Sequence, residues 1–168
     1  MQIFLNNLYN LSGYYIHQIF FRIAPVTNAP TSSPALSTVA FCAFLSKSEL
    51  HLAEHHTLIF DNVQTNSGNG YNKISGSFIV PRAGIYVFTW TLVYHVSGEI
   101  CTNLIINGVE NGNGYAHGTS APYQTTTSLV VVHVEQGDTV LVRTISYSGC
   151  NQIGSLIGDK WRRSSFSG

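Results

Sequence analysis

The stretch Ile85-Tyr86-Val87-Phe88-Thr89-Trp90-Thr91-Leu92-Val93-Tyr94-His95 decides the fold. It is a run of β-branched and aromatic residues, which are the side chains most enriched in strands. Its aromatic residues Tyr86, Phe88 and Trp90 lie two positions apart, so they project to one face of a strand while the intervening residues take the other. This alternation predicts a long strand whose aromatic face covers a core.

Further strand-like runs flank this stretch at fairly regular spacing and are separated by turn dipeptides. The runs are Ser77–Val80, Cys101–Val109, Thr125–Val134 and Thr139–Tyr147, and the turns are Arg82–Gly84, Asn107-Gly108, Asn111–Gly114 and Gly137-Asp138. Short strands with polar turns predict an all-β antiparallel sandwich or barrel. Strands do not alternate with helical segments, which argues against a parallel nucleotide-binding sheet.

Charged residues are scarce in this chain of 168 residues. It carries 8 Lys and Arg against 8 Asp and Glu, which is 10% charged with a formal net charge of zero, whereas a typical domain is about 25% charged. Eight scattered cations cannot form the large basic face that nucleic-acid binding requires. A neutral surface this poor in charge would be poorly soluble as a monomer, so we expect another subunit to cover part of it.

Three cysteines, Cys42, Cys101 and Cys150, give an odd count and contain no C-x-x-C pair. The usual zinc and redox motifs are therefore missing from the sequence. Cys42 lies in an apolar stretch, and we expect it to behave as a small buried hydrophobe. Cys101 and Cys150 lie near the ends of predicted strands and could form a disulfide, which would require an oxidising compartment.

The first 37 residues differ in composition from the rest. Residues 1–24 space their apolar residues as a helix does, but polar residues interrupt the apolar run and no basic start precedes it. They could be a divergent signal or signal-anchor, a short helix that supports oligomerisation, or an unstructured start. Residues 25–37 hold three of the five prolines together with Ser and Thr, which indicates a linker. The globular domain is expected over residues 38–168.

His51-Leu-Ala-Glu54-His55 matches the H-x-x-E-H pattern of inverted zinc proteases. The pattern needs a helix that places both histidines on one face, and a third ligand from a second helix. The segment runs directly into the strand-like Thr57–Phe60, and no later segment is helical. We therefore interpret it as a polar loop, assign no metal and no cofactor, and predict that the protein is not an enzyme.

Eight positions across 31 residues carry a resemblance to a known family. The segment resembles the globular head of complement C1q through a spaced, mostly aromatic signature: Phe60, Asn66, Tyr71, Phe78, Gly84, Tyr86, Phe88 and Trp90. Blocks similar to other family strands extend the resemblance over about residues 38–168. We expect these eight residues to build the core and the surface between subunits, with Gly84 meeting a need for an unusual backbone angle or close packing.

The resemblance implies a ten-stranded jelly-roll sandwich, shared with tumour necrosis factor, that associates as trimers. Family members usually carry several apolar residues after the block that matches Phe166-Ser167-Gly168, so the last strand is expected to be truncated here. Short members without a collagen stalk resemble secreted, lectin-like immune proteins of invertebrates that recognise microbial surfaces and carbohydrates. Some members hold calcium near the trimer apex, but no acidic cluster in this sequence predicts it.

The resemblance makes a secreted pattern-recognition module the first functional prediction, with Asn107–Gly118, Tyr147–Gln152 and Asp159–Arg163 as candidate contact loops. Trp161 beside Arg162 and Arg163 is the most specific candidate, because an aromatic ring can stack on a sugar and arginine can bind sialate, phosphate or sulfate. In the alternative, Trp161 packs on the end of the sandwich. Tyr115 and His117 are weaker candidates. The other functional classes considered are a cytokine-like trimeric ligand for a receptor and an oligomerisation module without a ligand.

Overall fold

A computed structural model of the chain describes residues 38–50, 52–95, 99–117, 123–145, Cys150 and 154–168. Every regular element within these ranges is a strand, in agreement with the predicted all-β class. The strands are β1 Ala40–Phe44, β2 Glu49–Leu50, β3 Asn62–Ser67, β4 Tyr71–Asn72, β5 Ser77–Ile79, β6 Gly84–His95, β7 Glu99–Ile106, β8 Val109–His117, β9 Tyr123–Val134, β10 Thr139–Thr144, β11 Ser155–Leu156 and β12 Ser165–Ser167.

The strands form two antiparallel sheets that pack face to face. Sheet A has seven strands, in which β6 pairs with β9 along its whole length and with β11 and β12 on its other side, and β12 leads on to β1 and β3. Sheet B has five strands in the order β4-β5-β10-β7-β8. Strand β12 has three residues and pairs with both β1 and β6. We call the side of each sheet that points away from the other sheet its outer face.

The aromatic face of β6 builds the core, as its alternation predicted. Phe88 and Trp90 are fully buried, and the Trp90 indole N–H donates to the Thr102 hydroxyl of β7 over 2.9 Å, which joins the two sheets. Burial of such large apolar side chains is the main driving force for folding. Phe41 of β1 stacks on Phe78 of β5 with ring centres 4.6 Å apart, so aromatic pairs also bridge the sandwich.

The polar member of the signature, Asn66, fixes the loop between β3 and β4. Its side-chain NH2 donates to the Tyr71 carbonyl over 2.9 Å, and its side-chain oxygen accepts from the Tyr71 amide over 3.0 Å. The Tyr71 hydroxyl in turn donates to the Phe60 carbonyl, and burial raises the pKa of that phenol. Asn66 therefore orients a buried aromatic residue.

Three expectations from the sequence are wrong. Asn111–Gly114 is no turn but lies inside β8, where Gly114 allows Trp90 to approach the strand closely. Gly84 has no positive φ, and among the described residues its nearest contact is Tyr86 at 3.8 Å. Cys42 is half-buried instead of buried, because it points to the outer face of sheet A.

Several predictions fall partly or wholly outside the described residues. Residues 1–24, residues 25–37, His51 and most of the Tyr147–Gln152 loop lie there. Glu54 and His55 lie in a turn, so the part of the H-x-x-E-H segment that is described is not helical. The described residues contain no group of three potential metal ligands and no helix long and apolar enough to cross a membrane.

Candidate functional site

The segment from Gly158 to Arg163 forms a tight turn at the edge of sheet A. Gly158 and Arg163 form an antiparallel bridge, and the Asp159 amide donates to the Arg162 carbonyl over 2.9 Å. Lys160 and Trp161 therefore occupy the two central positions of the turn. Gly158 is required because a Cβ there would lie 2.7 Å from both the Leu45 Cβ and a backbone oxygen.

The Asp159 carboxylate holds the turn together from inside. One oxygen accepts from the amides of Trp161 and Arg162, both over 2.7 Å, as an aspartate at the first position of a turn commonly does. The other oxygen accepts from the Arg162 Nε over 2.9 Å and lies 2.8 Å from its Nη2. The amide of Trp161, followed by that of Arg162, lowers the pKa of this carboxyl below its ordinary value.

Arg162 anchors the turn to the rest of the domain. Its guanidinium carbon lies 3.7 Å from the centre of the Tyr123 ring, at the start of β9. His95, at the end of β6, packs its ring edge-on against Tyr123 at 5.2 Å. Because Asp159 neutralises the charge of Arg162 and Tyr123 covers its plane, Arg162 is a positioning residue here.

Trp161 is the most exposed large apolar side chain of the described residues, with 81% of its surface accessible. It does not pack on the end of the sandwich, which was the alternative to a contact role. The Lys160 Nζ lies 5.0 Å from the centre of the Trp161 ring, and the Arg163 guanidinium lies 5.6 Å from the Phe44 ring. The turn thus presents one open aromatic ring with two cations beside it.

Tyr115 and His117, the second predicted pair, lie on β8 in the other sheet, and the structure does not place them in the turn. Their rings stack 6.2 Å apart, and both contact one oxygen of Glu99: the Tyr115 hydroxyl at 3.4 Å and the His117 Nδ1 at 3.1 Å. The pair forms a small polar cluster on the outer face of sheet B. Its contacts account for an ordinary strand surface.

The eight signature residues do not provide the exposed apolar surface. That surface lies on the outer face of sheet A and comes from the opposite side of β6 and from β9. Val87 and Val131 are directly paired, and Ile85 and Leu129 flank them; all four are between 49% and 74% exposed. The alternation of β6 could have located this face, because its second set of side chains is also apolar.

The same face is free of formal charge over a wide area. The outward positions described on β1, β6, β9 and β12 contain no Asp, Glu, Lys or Arg, and Thr, Ser, Val and Ile predominate. Apolar patches of this kind mark surfaces that a partner covers. The outer face of sheet A is therefore suited to contact with another subunit.

Cys101 and Cys150 are joined by a disulfide, with their Cα atoms 6.4 Å apart. Both are buried, and with Ile145 they form a small apolar cluster on the outer face of sheet B. The bond closes a separation of 49 residues and fixes the chain at Cys150 against β7.

Comparisons of the sequence with known proteins agree with this architecture. The family model described as C1q domain matches residues 40–168. Complement C1q tumor necrosis factor-related protein 3 of Mus musculus is 30% identical over 128 residues, which are 75% of this chain and 49% of that protein. A chain of the complement C1q subcomponent of Homo sapiens is 34% identical over 125 residues, covering 70% of this chain and 44% of that protein. The chain thus spans about half the length, or less, of these relatives.

Comparisons of the structure confirm the jelly-roll fold. The globular domain of zebrafish complement 1qA protein superposes with a TM-score of 0.61 at 12% identity, covering 78% of this chain and 96% of that one. Murine APRIL superposes with a TM-score of 0.57 at 15% identity, covering 76% of this chain and 96% of that one. At these identities the likeness is one of fold.

Proposed function

The chain belongs to the C1q domain family, and from that membership we propose that it is a secreted, non-enzymatic recognition protein that binds acidic sugars as a trimer. Members of the C1q and tumour necrosis factor families form trimers, and these families are not known as enzymes. C1q-domain relatives are generally secreted. The disulfide between Cys101 and Cys150 supports secretion, because such bonds persist in oxidising compartments.

The exposure of Trp161 at the tip of a rigid turn is the observation that carries this proposal. Keeping a large aromatic ring in water is unfavourable, and an indole face suits the C–H face of a sugar. Lys160 and Arg163 add two positive charges beside the ring, whereas Arg162 is already paired with Asp159. The turn is therefore complementary to a sugar that carries a carboxylate, sulfate or phosphate.

Trimer formation supplies the affinity that one small turn cannot. The charge-free outer face of sheet A, centred on Val87 and Val131, is the surface we assign to contacts between subunits. Three copies of the turn on one particle would bind a repetitive surface with an avidity far above the affinity of one site. This assembly also explains how a neutral chain with 10% charged residues stays soluble.

A cytokine-like ligand for a cell-surface receptor is the second candidate function. The structural likeness to murine APRIL and the sequence likeness to a C1q tumor necrosis factor-related protein favour it. In that case the same trimer would bind receptor chains in the grooves between its subunits, and Trp161 would contact a protein instead of a sugar.

Binding of the full chain to a glycan array separates the two candidates. We expect binding to sialylated, sulfated or uronic-acid glycans, a loss of at least about tenfold in Trp161→Ala, and no loss in Ile74→Ala. Ile74 is a matched control, because it is 80% exposed on a different loop. Binding to no glycan or microbial polysaccharide, together with saturable binding to cells, would reject the sugar-binding proposal in favour of the receptor ligand.

A further inference from the structure

Asn103 of β7 and Arg143 of β10 carry buried polar atoms that lack partners. They are paired neighbours on adjacent antiparallel strands, and both point to the outer face of sheet B. Asn103 is 2% exposed, and its side-chain oxygen has no hydrogen-bond partner; the Nε of Arg143 is equally buried and also has none. Buried polar atoms are almost always hydrogen-bonded, so two neighbouring exceptions indicate a site.

The two atoms have complementary needs that they do not meet for each other. The Arg143 N–H needs an acceptor, and the Asn103 oxygen needs a donor. Among the described residues no carboxylate forms an ion pair with Arg143, so its charge is half-buried without a counter-ion. An uncompensated charge in such a place is costly, and an anion would offset that cost where a water molecule would not.

The neighbours of the pair extend it into a polar row across the face. Asn113 of β8 pairs with Asn103 on one side and is exposed, and Thr57 forms a bridge with Arg143 on the other. The buried disulfide of Cys101 lies on the same face of β7, two residues from Asn103. The row therefore leads from an open end at Asn113 to a shielded cation at Arg143.

We propose that Asn103 and Arg143 form a binding site for a small hydroxy-carboxylate. The carboxylate oxygens accept from the Nε and a terminal N–H of Arg143, in the side-on geometry that suits a guanidinium. A hydroxyl on the adjacent carbon donates to the Asn103 oxygen, and further hydroxyls reach the side chain of Asn113. This chemistry occurs in free hydroxy-acids and in the acid sugars of polysaccharides. The site is separate from the Trp161 turn and does not depend on the function proposed for it.

Titration of the full chain with glycolate and with acetate at constant ionic strength tests the site. Acetate lacks the hydroxyl, so glycolate should bind about tenfold more tightly to the wild type. Arg143→Met should weaken binding of both anions by at least about tenfold. Asn103→Leu should remove only the preference for glycolate. Arg163→Met and Trp161→Ala, both on the turn, should leave glycolate binding unchanged, which separates this test from that of the turn.

A second measurement keeps the test valid if a variant fails to fold. Glycolate added to the wild type should shift the amide resonances of Asn103, Asn113 and Arg143 in nitrogen–proton correlation spectra. Comparison of D-glucuronate with an oligomer of uronic acids then distinguishes a free acid from an acid sugar within a chain, because only a site open at Asn113 accepts the oligomer.

The proposal is overturned if glycolate binds no better than acetate, or if the shifts fall elsewhere. It is equally overturned if Asn103→Leu and Arg143→Met are more stable than the wild type while the wild type binds neither anion. In that outcome the two groups hold only a bridging water.

Discussion

The Arg162 guanidinium carbon lies 3.7 Å from the centre of the Tyr123 ring, and this contact joins the exposed turn to the long strand pair at the centre of sheet A. A guanidinium stacked on an aromatic face gains about 0.5–2 kcal/mol, depending on how far both are desolvated. Because Arg162 also bonds Asp159 through two nitrogens, its position is fixed from two sides. The turn that presents Trp161 is therefore held in one conformation.

Arg162→Gln should weaken ligand binding by loosening the turn, although Arg162 itself has no free charge to offer. We expect a loss of about tenfold, because the turn must then be ordered when the ligand binds. Acrylamide quenching of tryptophan emission checks the mechanism, since Trp161 is 81% exposed and Trp90 only 1%. Arg163→Gln is the control: it should weaken binding of anionic ligands without altering quenching. Equal quenching in all three proteins would show that Arg162 does not position the turn.

The Asp159 carboxyl gives the turn a defined pH dependence. Backbone amides, first that of Trp161, lower its pKa below the ordinary value of 3.8. A carboxyl with a lowered pKa stabilises the folded form fully above its unfolded pKa, and this contribution is lost as the pH falls through the folded value. Quenching of Trp161 should therefore be constant from pH 7 to pH 5 and change only below about pH 4. A change between pH 7 and pH 5 would assign the effect to a histidine, with His95 against Tyr123.

The sequence was sufficient for the fold because β6 alternates so regularly that its aromatic face could only be a core face. It was insufficient for β8, where Asn111–Gly114 has the composition of a turn. Those glycines instead lie opposite Trp90 and Val130, and only the packing of the two sheets reveals that contact. Trp161 was correctly singled out as unusual, but the role of Arg162 depends on Tyr123, which lies 39 residues earlier in the chain. Contacts between distant segments are not encoded in local pattern.

Gly114→Ala should destabilise the domain by about 2 kcal/mol through overpacking. A Cβ at this position would lie 2.9 Å from the Trp90 Nε1 and 2.8 Å from the Thr102 hydroxyl, which are hydrogen-bonded to each other. Gly84→Ala is the matched control, because its nearest described contact is 3.8 Å away, and it should be neutral or slightly stabilising. Urea unfolding measures both. Equal stability of the two variants would contradict the close packing of β8 on Trp90.

Replacement of Cys101 and Cys150 by alanine should lower the free energy of unfolding by about 3–4 kcal/mol. The bond closes a separation of 49 residues, and a loop of this size restricts the unfolded chain by about that amount. Reduction of the wild type under denaturing conditions, followed by refolding with dithiothreitol, should give the same loss. Cys42→Ala is the control and should cost much less, because Cys42 is half-buried and unbonded. A wild type whose unfolding midpoint does not respond to reduction would contradict this prediction.

Val131→Lys should dissociate the trimer without unfolding the subunit. Val131 is directly paired with Val87, and both are at least 49% exposed in the isolated subunit, so a lysine there costs the monomer little. Buried between subunits, the same lysine would leave an unpaired charge in an apolar interface. Sedimentation should show a fall in mass from three chains to one, whereas Ile79→Lys, on the outer face of sheet B, should remain trimeric. The monomer should still bind a soluble acidic sugar as the wild type does, but lose about a hundredfold or more in binding to a coated surface. A wild type that sediments as a monomer would contradict the assembly, and equal surface binding by both forms would contradict the dependence on avidity.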